Sequence, residues 1–369
     1  MRGRPALFTR YEADSAILRN NAQRIWFAIL LLVAIVLPFG LPRDWMILFA
    51  QALIAAVGVI GLNLVTGYAG QVSLGHAFFL GVGAYAAAAL GGEGTEEVWG
   101  LGLDMLIWIP VAGLIAALVG ALVAPIAMRL KGLYLALVTL GLVFLGEHIF
   151  REWDSLTGGS TTGREPAQLK LLGYRFDLDG TFGSVTVTRE QQIYWVALVV
   201  LIVAAFFAKN LVRSRVGRAF AAVRDRDIAA EVMGIDLTRT KILAFAISSF
   251  YAGVAGALLY TVTGFVNAVS FNLLLSITYI AMVVIGGAAS IAGSIMGALF
   301  LTLLPRIIDA LGSALPFFEV SSSGLLSTSQ LERVVFGLLI VGFLIFEPLG
   351  LYGIWIRIRN YWKAWPFSY

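Results

Sequence analysis

Apolar residues fill this chain in runs of about seventeen or more, long enough to cross a hydrocarbon layer of about 30 Å at 1.5 Å per residue. Short polar or glycine-rich stretches separate the runs. Candidate spans fall at about 25–41, 45–66, 72–90, 106–128, 132–150, 192–208, 241–262, 273–287, 288–304 and 334–350. The fold class this predicts is all-α: a polytopic transmembrane helical bundle of about ten spans. The eighth and ninth segments meet at Gly286-Gly287-Ala288-Ala289-Ser290 without a charge, so they read either as two spans or as one buried helix with a break.

Two polar interruptions stand out. From Lys209 to Lys241 the chain reads KNLVRSRVGRAFAAVRDRDIAAEVMGIDLTRTK, with eight basic and four acidic side chains between long apolar runs. Such a segment lies in water, and its basic excess places it on the cytoplasmic side. Asp225 and Asp227 precede Ala229-Ala230 and Gly234, which predicts a short helix opened by an acidic cap and closed by glycine, a shape for docking another protein. The other interruption, 151–190, is expected on the opposite side. Its stretch from Tyr174 to Thr188 suggests two strands joined around Asp179-Gly180, either touching an extracytoplasmic partner or merely covering helix ends.

Charge fixes the expected orientation. Arg2, Arg4, Arg10, Arg19 and Arg24 precede the first span, Arg129 and Lys131 follow the fourth, and Arg357, Arg359 and Lys363 follow the tenth. With ten spans all fall on the side of the 209–240 loop, whereas Glu93, Glu96, Glu97 and Asp104 fall on the other, so both termini are expected in the cytoplasm. The N-terminal arginines precede an apolar run with no small-residue cleavage pattern, which reads as a retained span. The organisation is a basic segment 1–24, a permease domain 25–350 and a tail 351–369, in a plasma (inner) membrane.

An internal repeat is also visible. Val65-Thr66-Gly67-Tyr68 with Val72-Ser73 recurs as Val262-Thr263-Gly264-Phe265 with Val269-Ser270, five spans later. An odd offset reverses direction through the membrane, which predicts inverted halves with broken helices and a route between them. Gly70, Gln71, Ser73, Gly75 and His76 in the first copy and Asn267, Ser270 and Asn272 in the second are the candidate route-lining residues. Polar groups in apolar surroundings must meet protein, water or substrate. Helix packing is the competing explanation, and it is the favoured one for Gly253-Val254-Ala255-Gly256 and Gly293-Ser294-Ile295-Met296-Gly297.

Composition narrows the chemistry. The 369 residues are 59% hydrophobic and 13% charged, with no cysteine and two histidines, which excludes disulfides and thiolate metal sites and speaks against any metal or haem cofactor. The net charge of +4 sits beside spans, so orientation explains it better than nucleic acid does. No lysine follows a glycine, so the phosphate loop G-x-x-x-x-G-K-[ST] is absent, as are the hydrolase elbow and the zinc-protease helix. No catalytic residue and no metal ligand is assigned. Glu147 and His148, beside Arg151, read as a solvated group at a span end.

The segments GYAGQVSLGHAFFLGVGAYAAA (67–88), KGLYLALVTLGLVFLGE (131–147), WDSLTGGSTTG (153–163), GRAFAAVRDRDIAAEVMGID (217–236) and VIGGAASIAGSIMGAL (284–299) resemble those of branched-chain amino acid ABC importer permeases of the LivM type. The resemblance runs in order from about 45 to 350. It implies a LivH-like partner permease, two ATPase subunits that hydrolyse ATP in place of this non-catalytic chain, and an extracytoplasmic binding protein. It also implies that the loop holding Gly217, Arg218, Arg224, Asp225, Asp227, Ala229, Ala230 and Gly234 is the ATPase-coupling segment, although Ile228 stands where that motif usually has glutamate. Leucine, isoleucine and valine are the implied cargo, urea or short amides the alternative. A self-sufficient carrier or channel is the reading from another class, but no set of ion-coupling carboxylates lies within the spans.

Overall fold

The computed structural model describes residues 21–94, 98–128, 130, 132–159, 163–182, 185–314 and 328–364. The expected charges at Arg2, Arg4, Arg10, Arg19, Glu96, Glu97, Arg129 and Lys131 lie outside them. Among the described residues the long helices are α1 (Asn21–Val36), α2 (Arg43–Asn63), α3 (His76–Gly91), α4 (Met105–Met128) and α5 (Leu133–Glu152). A short α6 (Asp154–Thr157) follows, then α7 (Arg189–Arg213), α8 (Arg215–Asp225), α9 (Asp227–Val232) and α10 (Leu237–Thr263). The chain ends with α11 (Leu273–Gly286), α12 (Ile291–Ala314), α13 (Thr328–Phe346) and α14 (Gly350–Ala364).

Each of the ten apolar runs is helical, but they are not equal. Among the described residues seven helices are long and apolar enough to cross a membrane, and a bent pair, Gly337–Phe346 with Gly350–Trp362, allows an eighth. The expected spans at 72–90 and 273–287 are instead the short helices α3 and α11, of 16 and 14 residues. Hydropathy counts apolar residues and is blind to where the backbone leaves the helix, which is why both read as full spans. The eighth and ninth segments are two helices folded back on each other. Gly286 packs on Gly293 and Gly297 on the Met282 carbonyl, so closely that any β-carbon would strike the facing backbone.

Helices α2 and α10 form the core. Helix α10 packs on α4, α3 and α2, and α2 on α12 and α7. Small residues permit this where lipid supplies no hydrophobic drive between helices: Gly83 of α3 meets Gly253 of α10 backbone to backbone. Helix α1, by contrast, buries no residue and presents Trp26, Leu30 and Leu32 outward. Its C-terminal end is tied to α7 by Tyr194, whose hydroxyl donates to the Ala34 carbonyl at 2.9 Å.

The polar segment before α7 corrects one expectation. It holds two hairpins rather than one: β1 (Lys170–Leu171) with β2 (Tyr174–Arg175), and β3 (Gly180–Phe182) with β4 (Val185–Val187). Leu172 and Gly173, both at positive φ, make the first turn. Asp179-Gly180 joins the hairpins instead of turning within one, because Asp179 Oδ1 accepts from Arg189 N at 2.7 Å and is committed to the start of α7.

Candidate functional site

Both repeat copies sit where a long helix ends. At the first, α2 widens into a π turn, Leu64–Tyr68, with Ala69 N donating to Leu64 O at 3.1 Å and Gln71 N to Val65 O at 2.9 Å. Gly70, at φ +68°, turns the chain out of the helix, and five residues without regular structure lead to α3. This irregular backbone is satisfied from neighbouring elements, the condition for tolerating it at membrane depth. Leu74 N donates to Thr139 Oγ1 of α5 at 2.9 Å, Gly75 N to Ser73 Oγ at 3.3 Å and Ala77 N to Ser276 Oγ of α11 at 2.9 Å. Asn63 ties the π turn to the α11–α12 hairpin: its Nδ2 donates to Ser290 O and Ser294 Oγ, at 3.0 and 2.7 Å, and its Oδ1 accepts from Ala289 N at 2.8 Å.

At the second copy α10 ends on Gly264 at φ +81°, followed by one turn of 3₁₀ helix, Ala268–Phe271, before α11. The backbone here pairs with the 151–190 segment: Arg164 N donates to Val266 O at 2.9 Å and Val266 N to Arg164 O at 2.8 Å. The Arg164 side chain is buried, donating to the carbonyls of Leu156 at 2.6 Å, Ala88 at 2.7 Å and Trp99. Burial lowers its pKa to about 10, which still leaves it charged at neutral pH. Phe271 packs among Tyr85, Phe150 and Tyr260, with ring centroids 5.0 to 5.8 Å away.

The candidate lining residues therefore divide. Gly70 and Ser270 are exposed and Gln71, Asn267 and Asn272 half-buried, whereas Ser73, Gly75 and His76 are buried. His76 lies against Tyr279 of α11, ring centroids 5.0 Å apart, and its Nε2 is buried without a hydrogen-bond partner among the described residues. Asn267 and Asn272 are occupied as caps, accepting from Val269 N at 3.0 Å and Leu275 N at 3.1 Å.

The charged segment is two helices. Ser214 caps α8, accepting from Val216 N at 3.1 Å and Gly217 N at 3.4 Å, and Gly217 is buried beneath that turn. Arg218 is exposed and donates to Arg213 O at 3.1 Å. Asp225 closes α8 and pairs with Arg224 at 3.1 Å. The residue at the N-cap of α9 is Arg226, not an acid; Asp227 is the first helical residue, its carboxylate accepting from Ile228 N at 2.9 Å, where it faces the positive end of the helix. Gly234, at φ +84°, ends α9, as the glycine reading anticipates. Ala230 faces inward and is buried, while Ala229 is exposed.

Contacts join these parts. Arg224 Nη1 donates to Gly67 O at 3.1 Å, and a β-carbon at Gly70 would come within 2.7 Å of Arg224 Cγ. The charged segment thus touches the first break directly. Sequence reasoning missed Arg224 as the bridging residue, and it missed Asn63, Thr139, Ser276 and Arg164, which hold the breaks. It also missed Ile228, Val232 and Met233, exposed at 71%, 82% and 82%, although three large apolar residues at i, i+4 and i+5 among charges are legible as an apolar tip. Among the described residues no group of three histidine, aspartate or glutamate side chains could hold a metal ion.

Residues 45–344 match the family model for "Branched-chain amino acid transport system / permease component". The chain is similar to the high-affinity branched-chain amino acid transport system permease protein LivM of Salmonella typhimurium, 30% identical over 343 residues covering 89% of this chain and 75% of the relative. The Escherichia coli LivM protein matches with the same identity and coverage. The LivH permease protein of Salmonella typhimurium is 27% identical over 306 residues, 81% of this chain and 91% of the relative. No solved structure matches the chain.

Proposed function

This chain belongs to the branched-chain amino acid transport system / permease component family, and on that premise we propose that it is the membrane subunit of an ATP-driven importer of leucine, isoleucine and valine. It works with a LivH-like second permease and two ATPase subunits at the face carrying α8 and α9, and with a substrate-binding protein at the opposite face. The basic residues beside α8, α9 and α14 support a cytoplasmic position for that face.

The observation that carries the reading is the contact of Arg224 with Gly67 and Gly70. Helix α8 rests on the break through Arg224 and packs against α9, so a push on α9 passes through α8 into displacement of non-helical backbone, which yields more readily than an intact α-helix. Ile228, Val232 and Met233 form the tip that enters the ATPase, while buried Ala230 holds α9 to this chain, the reverse of an outward role for that alanine. The exposed residues of the breaks, Gly70, Val72, Val269 and Ser270, with half-buried Gln71, face the partner permease and line the route; Ser73, Gly75 and His76 support it from behind.

The test is reconstitution with and without the co-purifying subunits. Concentrative, ATP-dependent uptake of labelled leucine is expected from the full assembly and none from the chain alone. Concentrative uptake by the isolated chain contradicts the coupled reading, and competition by urea rather than by valine moves the cargo to the amide class.

A further inference from the structure

Helix α14 meets α13 at an angle of 47°, with Gly350 at φ +64° making the corner. Leu351, Ile354, Trp355, Ile358, Tyr361 and Trp362 recur at helical spacing and form one stripe. Trp355, Ile358 and Trp362 on that stripe are 51%, 47% and 68% exposed, so none of the described residues covers it. Leu344, Ile345 and Phe346 at the end of α13 and Leu349 in the turn before α14 are exposed as well, so exposed apolar residues stand on both sides of the corner.

The rest of α14 carries Arg357, Arg359 and Lys363 and no acidic residue. Glu347 offsets Arg357 in an ion pair, whereas Arg359 is half-buried and no ion pair to it is formed among the described residues. A stripe of tryptophan, tyrosine and isoleucine flanked by an arginine on each edge is the composition of a helix seated between headgroups and acyl chains, where arginines reach up to the headgroups. A groove on another protein would accept the apolar stripe, but it would leave unexplained the exposed apolar end of α13 beside it.

We propose that α14 is an interfacial helix that docks on anionic phospholipid, its aromatic stripe in the acyl boundary and Arg357 and Arg359 at the headgroups. This goes beyond the transport role and does not depend on the cargo. Its place gives it leverage, because Leu349 and Tyr352 pack on Gly287 in the α11–α12 hairpin that Asn63 ties to the first break.

The chain has no cysteine, so single labels test this directly. The full chain with its co-purifying subunits, carrying Ile358→Cys or Asn360→Cys labelled with bimane, is placed in vesicles containing brominated phosphatidylcholine or brominated phosphatidylglycerol. Quenching at 358 and little at 360 is expected, with phosphatidylglycerol the stronger quencher at equal mole fraction. Arg357→Gln with Arg359→Gln should erase that preference, Arg359 contributing about fivefold and Arg357, paired with Glu347, less, while leaving quenching by phosphatidylcholine intact. Trp355→Cys serves as a second stripe position. Absence of quenching at both 355 and 358, equal quenching by the two lipids, or quenching that appears only when the other subunits are removed would each overturn the proposal.

Discussion

The two breaks begin from near-identical sequence, Val-Thr-Gly followed by an aromatic residue, yet they are secured in opposite ways. The second is latched: Arg164 pairs with Val266 through both backbone groups, its guanidinium is buried on three carbonyls, and an aromatic cluster closes around Phe271. The first is held mainly by neutral groups, Asn63 on the hairpin and Thr139 and Ser276 on the backbone after the turn, with exposed Arg224 adding one bond to Gly67 O. A buried guanidinium shared among three carbonyls costs more to open than neutral or part-exposed bonds. The second hinge is therefore expected to be the stiffer of the two, and the first, beside α8, the one that yields.

The largest effect separating the two is expected at Arg164. Replacing it with methionine orphans three carbonyls, and even after relief of the buried charge the purified protein should lose about 3 kcal/mol in thermal or denaturant unfolding. Lysine, which keeps the charge but not the fork of donors, should recover only part. Asn63→Leu comes next, at about 2–3 kcal/mol, because Ala289 N and Ser294 lose a buried partner. Gly70→Val forces a β-branched residue to φ +68° and against Arg224, a strain of about 1–2 kcal/mol, and should uncouple ATP hydrolysis from uptake in an assembled complex. Arg224→Gln is the smallest in stability, within about 0.5 kcal/mol, yet it should still lower the uptake achieved per ATP hydrolysed. A large unfolding effect at Arg224 with none at Arg164 would invert the comparison.

The sequence made the helices legible and the breaks half so. Ten apolar runs mark ten helices, because burial in lipid demands continuous apolar residues. The repeat points to both breaks, since glycine and threonine are enriched where a helix must end. What holds them was hidden, because partners such as Asn63 with Ser290 and Ala77 with Ser276 are separated by 227 and 199 residues and no local pattern links them. The polar residues of the breaks are legible as polar but not as lining or support: Asn267 caps backbone while Ser270 is exposed, and spacing alone does not distinguish them. Ala230, buried against this chain, shows the same limit. A small residue reads equally well as an outward contact or as an inward one.

The most direct test of unequal breaks uses single cysteines at Val72 and Val269, both exposed and one on each break. Their reaction rates with a small polar thiol reagent are compared in the assembled transporter with and without the ATPase trapped in its ATP-bound state. Trapping is predicted to change the rate several-fold at 72 and to leave 269 nearly unchanged. Equal changes at both positions, or a change confined to 269, would contradict the account.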